Sequence, residues 1–482
     1  MASSRMWSLA LLCAGLGCSD VAVPSPEDSS GVEPRGALTA DGGSEPSDGG
    51  AGSVAFSIHT AEYQAFYLVD GKVLGIGSNR LGQLGFGTSV AYNQVPAAPI
   101  AVDPALRFQG VWGGGYQSIA LDVLGRVWTF GDNRFGQRGD GTTNDLPNSP
   151  APGNNGIPYV IPQDASGQPF NGVIAVRSGL LFNLALKQDG SVWVWGLNGT
   201  AVGNSIGIAG DGDTVGRNMT RPFKVPLPTG TRIVDIETND FIVFALDDQG
   251  HAWSWGGGAI AQENLGTGRP TEYAQPRQVA ITSRIVQLAP GGDAFAYALD
   301  DQGRLWGWGV RGTYLGLGSA TGGWNPVATP RLLSFPEFGA HRVVQVAASG
   351  HTTHVILDDG TLWGWGDSAM GEVGNGAILD FAAYPTPYRW DWGLFEKLVF
   401  RPVQIAPGVT FQSISTTSES FYCYAVATDG RVFSWGRNKT GILGNGVLPT
   451  GDLANRPDSW NVATATPVPA HLLTTATPTP SR

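Results

Sequence analysis

The sequence carries little charge and very few lysines. Only 14% of its 482 residues are charged, against about 25% in an average soluble chain. Lysine supplies 5 of the 29 basic residues, no run of lysine or arginine occurs, and the formal net charge is −11. Nucleic acids and anionic membrane surfaces both require a basic binding surface, which this composition does not offer. We therefore expect no nucleic-acid partner.

Cysteine is also scarce, and the apolar stretch near the N-terminus is short. The three cysteines are Cys13, Cys18 and Cys423, too few for a disulfide framework or a cysteine-based metal site. The stretch from Ser8 to Gly17 has ten residues, whereas a helix that spans a bilayer needs about 20. The sequence therefore predicts no metal and no cofactor, and this stretch is not a membrane span.

The first 18 residues are typical of an export signal. Arg5 precedes the apolar stretch, which ends in Gly15-Leu16-Gly17-Cys18. This ending resembles a bacterial lipoprotein signal, in which a small residue precedes a cysteine that is lipidated and becomes the new N-terminus. That pattern prefers leucine three residues before the cysteine, where this chain has Gly15, so a plain cleaved signal is the alternative. We expect lipidation at Cys18 and an exported cell-envelope protein, either membrane-tethered only through its lipid or secreted.

The segment that follows has the composition of a linker. Residues 19–52 contain seven acidic residues and one basic residue, a net charge of −6, with no aromatic residues among mostly Ser, Gly, Pro and Ala. Such a segment cannot bury enough apolar surface to fold by itself. We expect a disordered acidic linker at 19–52, a folded body at 53–472 and a flexible tail at 473–482.

Glycine and tryptophan are abundant, and a repeat organises the body. With 70 glycines and 16 tryptophans, the chain favours turns and aromatic strands over helices. An Asp-Gly turn or its relative, followed by alternating apolar residues and Trp-Gly, recurs seven times, most clearly at Asp189–Gly196 and Asp359–Gly366. Glycine accepts the positive φ of such tight hairpin turns. The seven turn glycines are Gly71, Gly125, Gly190, Gly250, Gly303, Gly360 and Gly430.

The spacing of these glycines predicts the architecture. Successive turns are 54, 65, 60, 53, 57 and 70 residues apart. Each unit contains a strand that often ends in Ala-Leu, the aromatic strand after the turn, a Gly-rich segment, a Pro-led strand and a strand that continues into the next unit. Four short strands per unit are typical of a propeller blade. The sequence therefore predicts an all-β protein, a seven-bladed β-propeller of four-stranded blades.

The same residues carry a family resemblance. Segments such as Asn79–Gly87 and Asn133–Gly141, preceded by Ala-Leu and an Asp-Gly turn, make the chain similar to the regulator of chromosome condensation repeat family over residues 53 to 470. The resemblance independently implies a seven-bladed propeller. The last Pro-led strand, Thr466-Pro467-Val468-Pro469, has no counterpart before the first hairpin. We therefore expect residues 466–472 to pair with the first blade and close the ring.

The aromatic strands and the histidines are expected to be structural. Ten of the 16 tryptophans lie in the hairpin strands, where large aromatics wedged between blades account for them. His351 and His354 are three residues apart on a strand and so face opposite sides, which makes a poor metal site. His354 also matches a position that the resemblance implies is a packing position.

No catalytic constellation is identifiable in the sequence. Asp301-Gln302-Gly303 resembles the Asp box of sialidases, but Leu299 stands where that motif needs Ser or Thr. Asp211 and Asp213 supply too few ligands for a calcium loop. We therefore expect no enzymatic activity and assign no catalytic residue, with a sialidase-like hydrolase as a remote alternative.

Three units carry insertions that offer a binding surface. The extra residues lie at Thr142–Gly172, Leu197–Thr220 and Ala377–Phe400, each expected before the Pro-led strand and so on one face of the ring. The third insertion is rich in aromatic residues, either packed on the propeller or available for recognition. The candidate binding residues are Phe381, Tyr384, Tyr388, Arg389, Trp390, Trp392 and Phe395.

These observations lead to a functional hypothesis with one main alternative. We expect a monomeric, non-enzymatic binding propeller that recognises a protein or a glycan outside the cytoplasm. The resemblance provides a precedent, a secreted bacterial β-lactamase inhibitor of similar fold that binds its target through one propeller face. It also implies an alternative, nucleotide exchange on a small GTPase, as in the nuclear member of the family. That member's basic N-terminal arm is absent here.

Overall fold

The computed structural model describes fourteen segments of the chain. These are residues 56–60, 64–87, 94–143, 156–199, 207–257, 263–269, 271–292, 295–309, 312–318, 326–378, 399–416, 421–438, 442–444 and 462–469. The predicted signal, the linker and the tail lie outside the described residues, and so do their predicted boundaries.

In these segments, twenty-eight strands form seven four-stranded antiparallel sheets. The first two blades contain Phe56–Thr60 (β1), Gln64–Val69 (β2), Lys72–Gly77 (β3) and Gln94–Pro99 (β4), then Phe108–Gly113 (β5), Gln117–Asp122 (β6), Val127–Gly131 (β7) and Tyr159–Val160 (β8). The third and fourth contain Val173–Ser178 (β9), Phe182–Lys187 (β10), Val192–Asn198 (β11) and Arg217–Lys224 (β12), then Ile233–Thr238 (β13), Ile242–Asp247 (β14), Ala252–Gly256 (β15) and Arg277–Gln278 (β16).

The remaining three blades follow the same order. The fifth contains Ile285–Gly291 (β17), Phe295–Asp300 (β18), Leu305–Gly309 (β19) and Val327–Leu332 (β20). The sixth and seventh contain Val343–Ala348 (β21), Thr352–Leu357 (β22), Leu362–Gly366 (β23) and Val399–Ile405 (β24), then Phe411–Thr416 (β25), Tyr422–Ala427 (β26), Val432–Gly436 (β27) and Val462–Pro467 (β28). The predicted all-β, seven-bladed propeller is confirmed.

The strand order explains where the proline residues fall. The first strands of neighbouring blades contact one another, as β17 and β21 do, so they surround the centre. The fourth strand of each blade is therefore its outer edge, and β12, β20 and β24 each contain a proline there. An outer edge tolerates proline because its missing N–H is not needed by a further strand. Helix in the described part is confined to two single-turn 3₁₀ segments, Gly312–Leu315 and Pro336–Phe338.

The turn glycines lie between the second and third strands of their blades. All seven have φ between +72° and +85°, a region that side chains other than glycine rarely adopt. At Gly250, an added Cβ would also lie 2.5 Å from Arg284 Cγ of the next blade. Gly250 therefore serves both the hairpin turn and the approach of the neighbouring blade, whereas an added Cβ at Gly430 would meet no atom within 4 Å.

The tryptophan of the fourth position in the aromatic strand joins one blade to the next. Trp308, which is fully buried, donates a hydrogen bond from Nε1 to the carbonyl oxygen of Asn264 in the preceding Gly-rich segment, at 2.7 Å. Trp195, Trp255, Trp365 and Trp435 repeat this contact. The prediction that large aromatics are wedged between blades is confirmed for these five residues.

The predicted ring closure by the C-terminal strand is wrong. Strand β28 pairs with β27, Ser434 lying opposite Thr466, so the seventh blade supplies all four of its own strands. The first blade likewise begins with its own strand β1. The prediction assumes that a Pro-led strand begins a blade. In the structure the Pro-led strands are the last strands of their own blades, so no strand remains to complete the first blade. Residues 470–472 lie outside the described part.

The first and seventh blades instead meet by side-chain packing. Ile58, Tyr67 and Ile76 share an apolar cluster with Tyr422 and Tyr424. The hydroxyls of Tyr67 and Tyr424 lie 3.1 Å apart, and the hydroxyl of Tyr422 donates to the carbonyl oxygen of Gln64 at 3.1 Å. Ile76 occupies the place that tryptophan holds in most other blades. Without an indole donor there, the hydroxyl of Tyr424 donates to the carbonyl oxygen of Ile442.

Candidate functional site

The propeller has two ends, and each connection belongs to one of them because the strands of a blade alternate in direction. One end carries the connections from first to second strands, such as residues 114–116, and the described parts of those from third to fourth strands, such as residues 132–143 and 156–158; we call it the insertion end. The other carries the hairpin turns and the links between blades, such as residues 123–126 and 161–172; we call it the turn end.

One predicted insertion is divided between the two ends. The range Thr142–Gly172 is predicted to precede the fourth strand, but β8 lies inside it. Residues 161–172 therefore lie at the turn end, where Asp164 Oδ1 accepts hydrogen bonds from the backbone N–H groups of Ser166 and Gln168. A two-residue strand shows no alternation of apolar residues, so the sequence could not locate it. The connections from β11 to β12 and from β23 to β24 do start and end at the insertion end.

The predicted binding residues in the third insertion lie outside the described residues. Phe381, Tyr384, Tyr388, Arg389, Trp390, Trp392 and Phe395 belong to the connection between β23 and β24, which starts at the insertion end. Their role in recognition stays a prediction, and so does lipidation of Cys18.

Where it is described, the residue before the second strand of a blade contributes to an apolar rim at the insertion end. In the described blades these residues are Tyr116, Leu181, Phe241, His351 and Phe421, which we call the apolar rim. Tyr116 and Phe241 are half-buried, and the other three are 7–8% exposed. The repeat pattern does not point to this rim, although each member directly precedes the second strand of its blade.

Ring contacts support the rim in the fifth to seventh blades. His351 stacks on Tyr314 with ring centroids 5.2 Å apart, and the ring centroid of Phe421 lies 6.2 Å from that of His351. The Arg437 guanidinium carbon lies 5.6 Å from the Phe421 ring centroid. Aromatic rings and arginine beside half-buried apolar groups are the residue types that dominate protein recognition surfaces.

A row of large side chains crosses the innermost strands of the first four blades. It consists of His59, Trp112, Arg177 and Glu237, which we call the inner row; Ala289, Ala347 and Ser415 take the equivalent places in the other three blades. The His59 and Trp112 rings meet edge to face at 5.1 Å, and the Arg177 guanidinium carbon lies 5.3 Å from the Trp112 ring centroid. Four different side chains thus form one continuous contact.

The inner row contains a buried ion pair. Arg177 donates to both carboxylate oxygens of Glu237, at 3.1 Å from Nε and 3.0 Å from Nη2. Burial, and secondly the charge of Arg177, lowers the pKa of His59 to about 3. His59 is therefore neutral around pH 7, and the row carries one cation and one carboxylate at its far end.

The described part brings one thiol and one imidazole together, in a form unsuited to catalysis. Cys423 Sγ lies 3.6 Å from His354 Nδ1, and His354 Nε2 lies 3.2 Å from the carbonyl oxygen of Val373. Burial raises the pKa of the Cys423 thiol to about 12 and lowers the pKa of His354 to about 4. Both groups are therefore neutral, whereas a reactive cysteine is an accessible thiolate.

Two of the carboxylates considered in the sequence have a structural partner. Asp211 and Asp213 both bind the guanidinium of Arg217, at 2.7 and 2.6 Å. At the hairpin that resembles an Asp box, the carboxylate that orders the turn is that of Asp300, one residue before Asp301; it accepts hydrogen bonds from Trp306 Nε1 and from the backbone N–H of Arg304. No group of three or more His, Cys, Asp or Glu side chains with metal-binding geometry occurs among the described residues. In that same part, no helix is long and apolar enough to cross a bilayer.

Comparison with known proteins identifies the family. The sequence model of the RCC1-like domain matches residues 72–473. The chain belongs to this family. It is 26% identical to the regulator of chromosome condensation of Mus musculus, over 78% of this chain and 82% of that protein. It is also 26% identical to the ultraviolet-B receptor UVR8 of Arabidopsis thaliana, over 73% and 70% of the two chains.

Other relatives of this RCC1-like protein are longer than the matched region. The chain spans 8% of the length of the E3 ubiquitin-protein ligase HERC2 of Mus musculus and 65% of the mitochondrial RCC1 domain-containing protein RUG3 of Arabidopsis thaliana, at 26% identity to each. Among solved structures, yeast RCC1 (Prp20) bound to Kap60 has a TM-score of 0.62 at 24% identity, covering 83% of this chain and 84% of that one. Human WBSCR16 has a TM-score of 0.57 at 19% identity, covering 73% and 82%. These structures share the fold.

Proposed function

We propose that this RCC1-like propeller acts by binding a protein or a glycan at its insertion end, rather than by catalysis. The observation that carries the proposal is the apolar rim, because Tyr116 and Phe241 are only half-buried at the end where two long insertions start. A soluble protein gains nothing from leaving aromatic surface in water, and such surface is typical of an interaction site.

The chain enters the propeller at the end opposite to the insertions, which supports separate roles for the two ends. The chain enters the first blade at Phe56, which pairs with Val69 next to the Asp70-Gly71 turn. The preceding segment therefore joins the propeller at the turn end. A lipid on Cys18 would tether the protein from that end and leave the insertion end directed toward a partner.

A second candidate, nucleotide exchange on a small GTPase, follows from the family. Prp20p of Saccharomyces cerevisiae, whose structure covers 82% of this chain at 23% identity, binds Gsp1p and histones. Fold alone does not transfer a function, and the acidic N-terminal segment of this chain disfavours a chromatin partner. Stimulated release of labelled guanine nucleotide from a small GTPase by the purified full chain would favour this second candidate.

The binding proposal can be tested by photo-crosslinking from each end. A photoreactive phenylalanine analogue at Phe241 or Tyr116 should crosslink one common partner in extracts of the source cells. The same analogue at Leu124, 69% exposed at the turn end, is the matched control and should not capture that partner. Equal capture from both ends, or capture from Leu124 alone, would contradict the assignment of the insertion end.

The tether is tested separately by cell fractionation. Cys18→Ala should shift the protein from the membrane fraction to the soluble fraction or block its processing, because the acyl chains would have no attachment site. Cys423→Ser is the control and should leave the fractionation unchanged. Equal solubility of the wild type and Cys18→Ala would mean that Cys18 is incidental.

A further inference from the structure

The Gly-rich segments of the second and sixth blades share one hydrogen-bond pattern, in which a glutamine of the second blade is a glutamate in the sixth. In the second blade, Gln137 Oε1 accepts the backbone N–H of Phe135 at 2.8 Å, and its amide nitrogen donates to Asp132 Oδ2 at 3.1 Å. In the sixth blade, Glu372 takes the place of the glutamine, and its Oε2 accepts the backbone N–H of Met370 at 2.7 Å. Asp367 takes the place of Asp132.

This exchange removes a donor and introduces a second acid close enough for the charge of Asp367 to act on it. The first blade shows the same arrangement without an acid, since Gln83 Oε1 accepts the N–H of Leu81 and its amide nitrogen lies 3.5 Å from Ser78 Oγ. A glutamate can reproduce the glutamine contacts only if its second oxygen carries a proton. Glu372 is 2% exposed, so an unshielded negative charge there is costly.

We propose that Glu372 is a protonated, neutral carboxyl group that donates a hydrogen bond to Asp367, and that this proton holds the start of the third insertion in place. The inference goes beyond the proposed binding function and does not depend on a partner. We call the two residues the acid pair.

The charged and titratable groups around the acid pair agree with a single added proton. Burial, and secondly the charge of Asp367, raises the pKa of Glu372 well above its ordinary value, while the Arg437 guanidinium of the seventh blade opposes the shift. Cys423 Sγ lies 3.9 Å from the carbonyl oxygen of Glu372, with His354 behind it. Cys423 and His354 are both neutral around pH 7, so Glu372 is the group whose charge changes.

The segment that contains the acid pair anchors the third insertion. Ser368 Oγ donates to the carbonyl oxygen of Ala377 at 2.8 Å, and the backbone N–H of Gly376 donates to Ala463 of β28 at 2.8 Å. Trp435 of the seventh blade donates to the carbonyl oxygen of Glu372 at 2.8 Å. Loss of the proton would place two carboxylates together at this junction and loosen both the insertion and the contact between the sixth and seventh blades.

The sign of the pH effect follows from proton linkage. The folded-state pKa of Glu372 lies above the unfolded-state value, so the stabilisation is complete at low pH and is lost as pH rises toward the folded pKa. In that interval the unfolding equilibrium constant of the wild type should rise, relative to Glu372→Gln, by up to about tenfold per pH unit. The glutamine variant keeps both hydrogen bonds without a proton and should be the more stable protein at alkaline pH.

The test is chemical denaturation of the full chain and of three variants from about pH 5 to about pH 9. Glu372→Gln should lose the pH dependence that the wild type shows. Gln137→Glu places an acid beside Asp132, whose carboxylate also binds Arg134 Nε at 3.0 Å, and should add a second, smaller dependence. Gln83→Glu faces Ser78 rather than an acid and is the matched control, with a smaller slope.

A spectroscopic readout makes the test independent of stability. The wild type at neutral pH should show an infrared carbonyl band of a protonated carboxyl group that Glu372→Gln lacks. Absence of this band, or parallel stability curves for the wild type and Glu372→Gln, would overturn the proposal.

Discussion

Replacing Trp308 with alanine should lower the free energy of unfolding by about 3–5 kcal/mol, the range for removal of a fully buried large aromatic side chain. Trp308 is 0% exposed and packs between the fourth and fifth blades, with Phe244 at 6.3 Å between ring centroids. Alanine would leave a cavity there, and the carbonyl oxygen of Asn264 would lose the indole donor. The measurement is urea denaturation followed by far-ultraviolet circular dichroism.

Two further variants separate the packing from the hydrogen bond. Trp308→Phe keeps most of the ring but not the donor, and should cost about 1–3 kcal/mol for the unpaired carbonyl and the smaller volume. Phe130 occupies the equivalent place in the second blade, so phenylalanine fits this position. Leu124→Ala is the exposed control and should change stability by less than about 0.5 kcal/mol. A loss for Trp308→Ala no larger than for the control would refute the role of the tryptophan.

The repeat made much of the fold predictable from the sequence. Turns such as Asp189-Gly190 need a residue that accepts positive φ, and buried tryptophans such as Trp195 need a partner blade; both signals recur at a fixed place in each unit. Seven copies of one signal outweigh a weak copy such as Gly71–Gly77, which has no tryptophan. The number of blades and the hairpin positions follow from this redundancy.

The predictions that failed concern strands with little sequence signal of their own. A rule that proline begins a blade assigns the closing strand to the first blade, whereas Pro467 ends the outermost strand of the seventh. Strand β8 has two residues and no apolar pattern. From the sequence, the whole first insertion is therefore assigned to one end of the propeller. Outer strands have few neighbours, and their residues are therefore less constrained than those of the second and third strands.

The features nearest to function were the least predictable, because they depart from the repeat. His59, Trp112, Arg177 and Glu237 have equivalent positions but four different chemistries, so no repeating pattern points to them. Glu372 was not evident for the converse reason, since a glutamate at the position where two other blades have Gln83 and Gln137 resembles an ordinary conservative change. Its significance appears only when Asp367 is seen to occupy the place of Asp132.

Breaking the ion pair of the inner row should be the other large effect. Glu237→Leu would leave the Arg177 guanidinium, 7% exposed, without its two-point partner in the centre of the ring. Removal of one member of a buried pair typically costs about 3–5 kcal/mol, because the remaining charge is buried uncompensated. Asp235 lies 4.0 Å from Arg177 Nη2, at the limit of a contact, and its side chain is 29% exposed. It can therefore replace only part of the lost interaction.

The double variant distinguishes a charge effect from a packing effect. Arg177→Met combined with Glu237→Leu removes both charges and keeps apolar volume against Trp112, so it should recover most of the stability that either single change loses. The coupling energy from the double-mutant cycle should then exceed about 2 kcal/mol in the direction that favours the pair. Additive losses would instead mean that the two side chains contribute through packing alone. The inner row would then stabilise the ring by filling space, and the matched charges of Arg177 and Glu237 would contribute nothing.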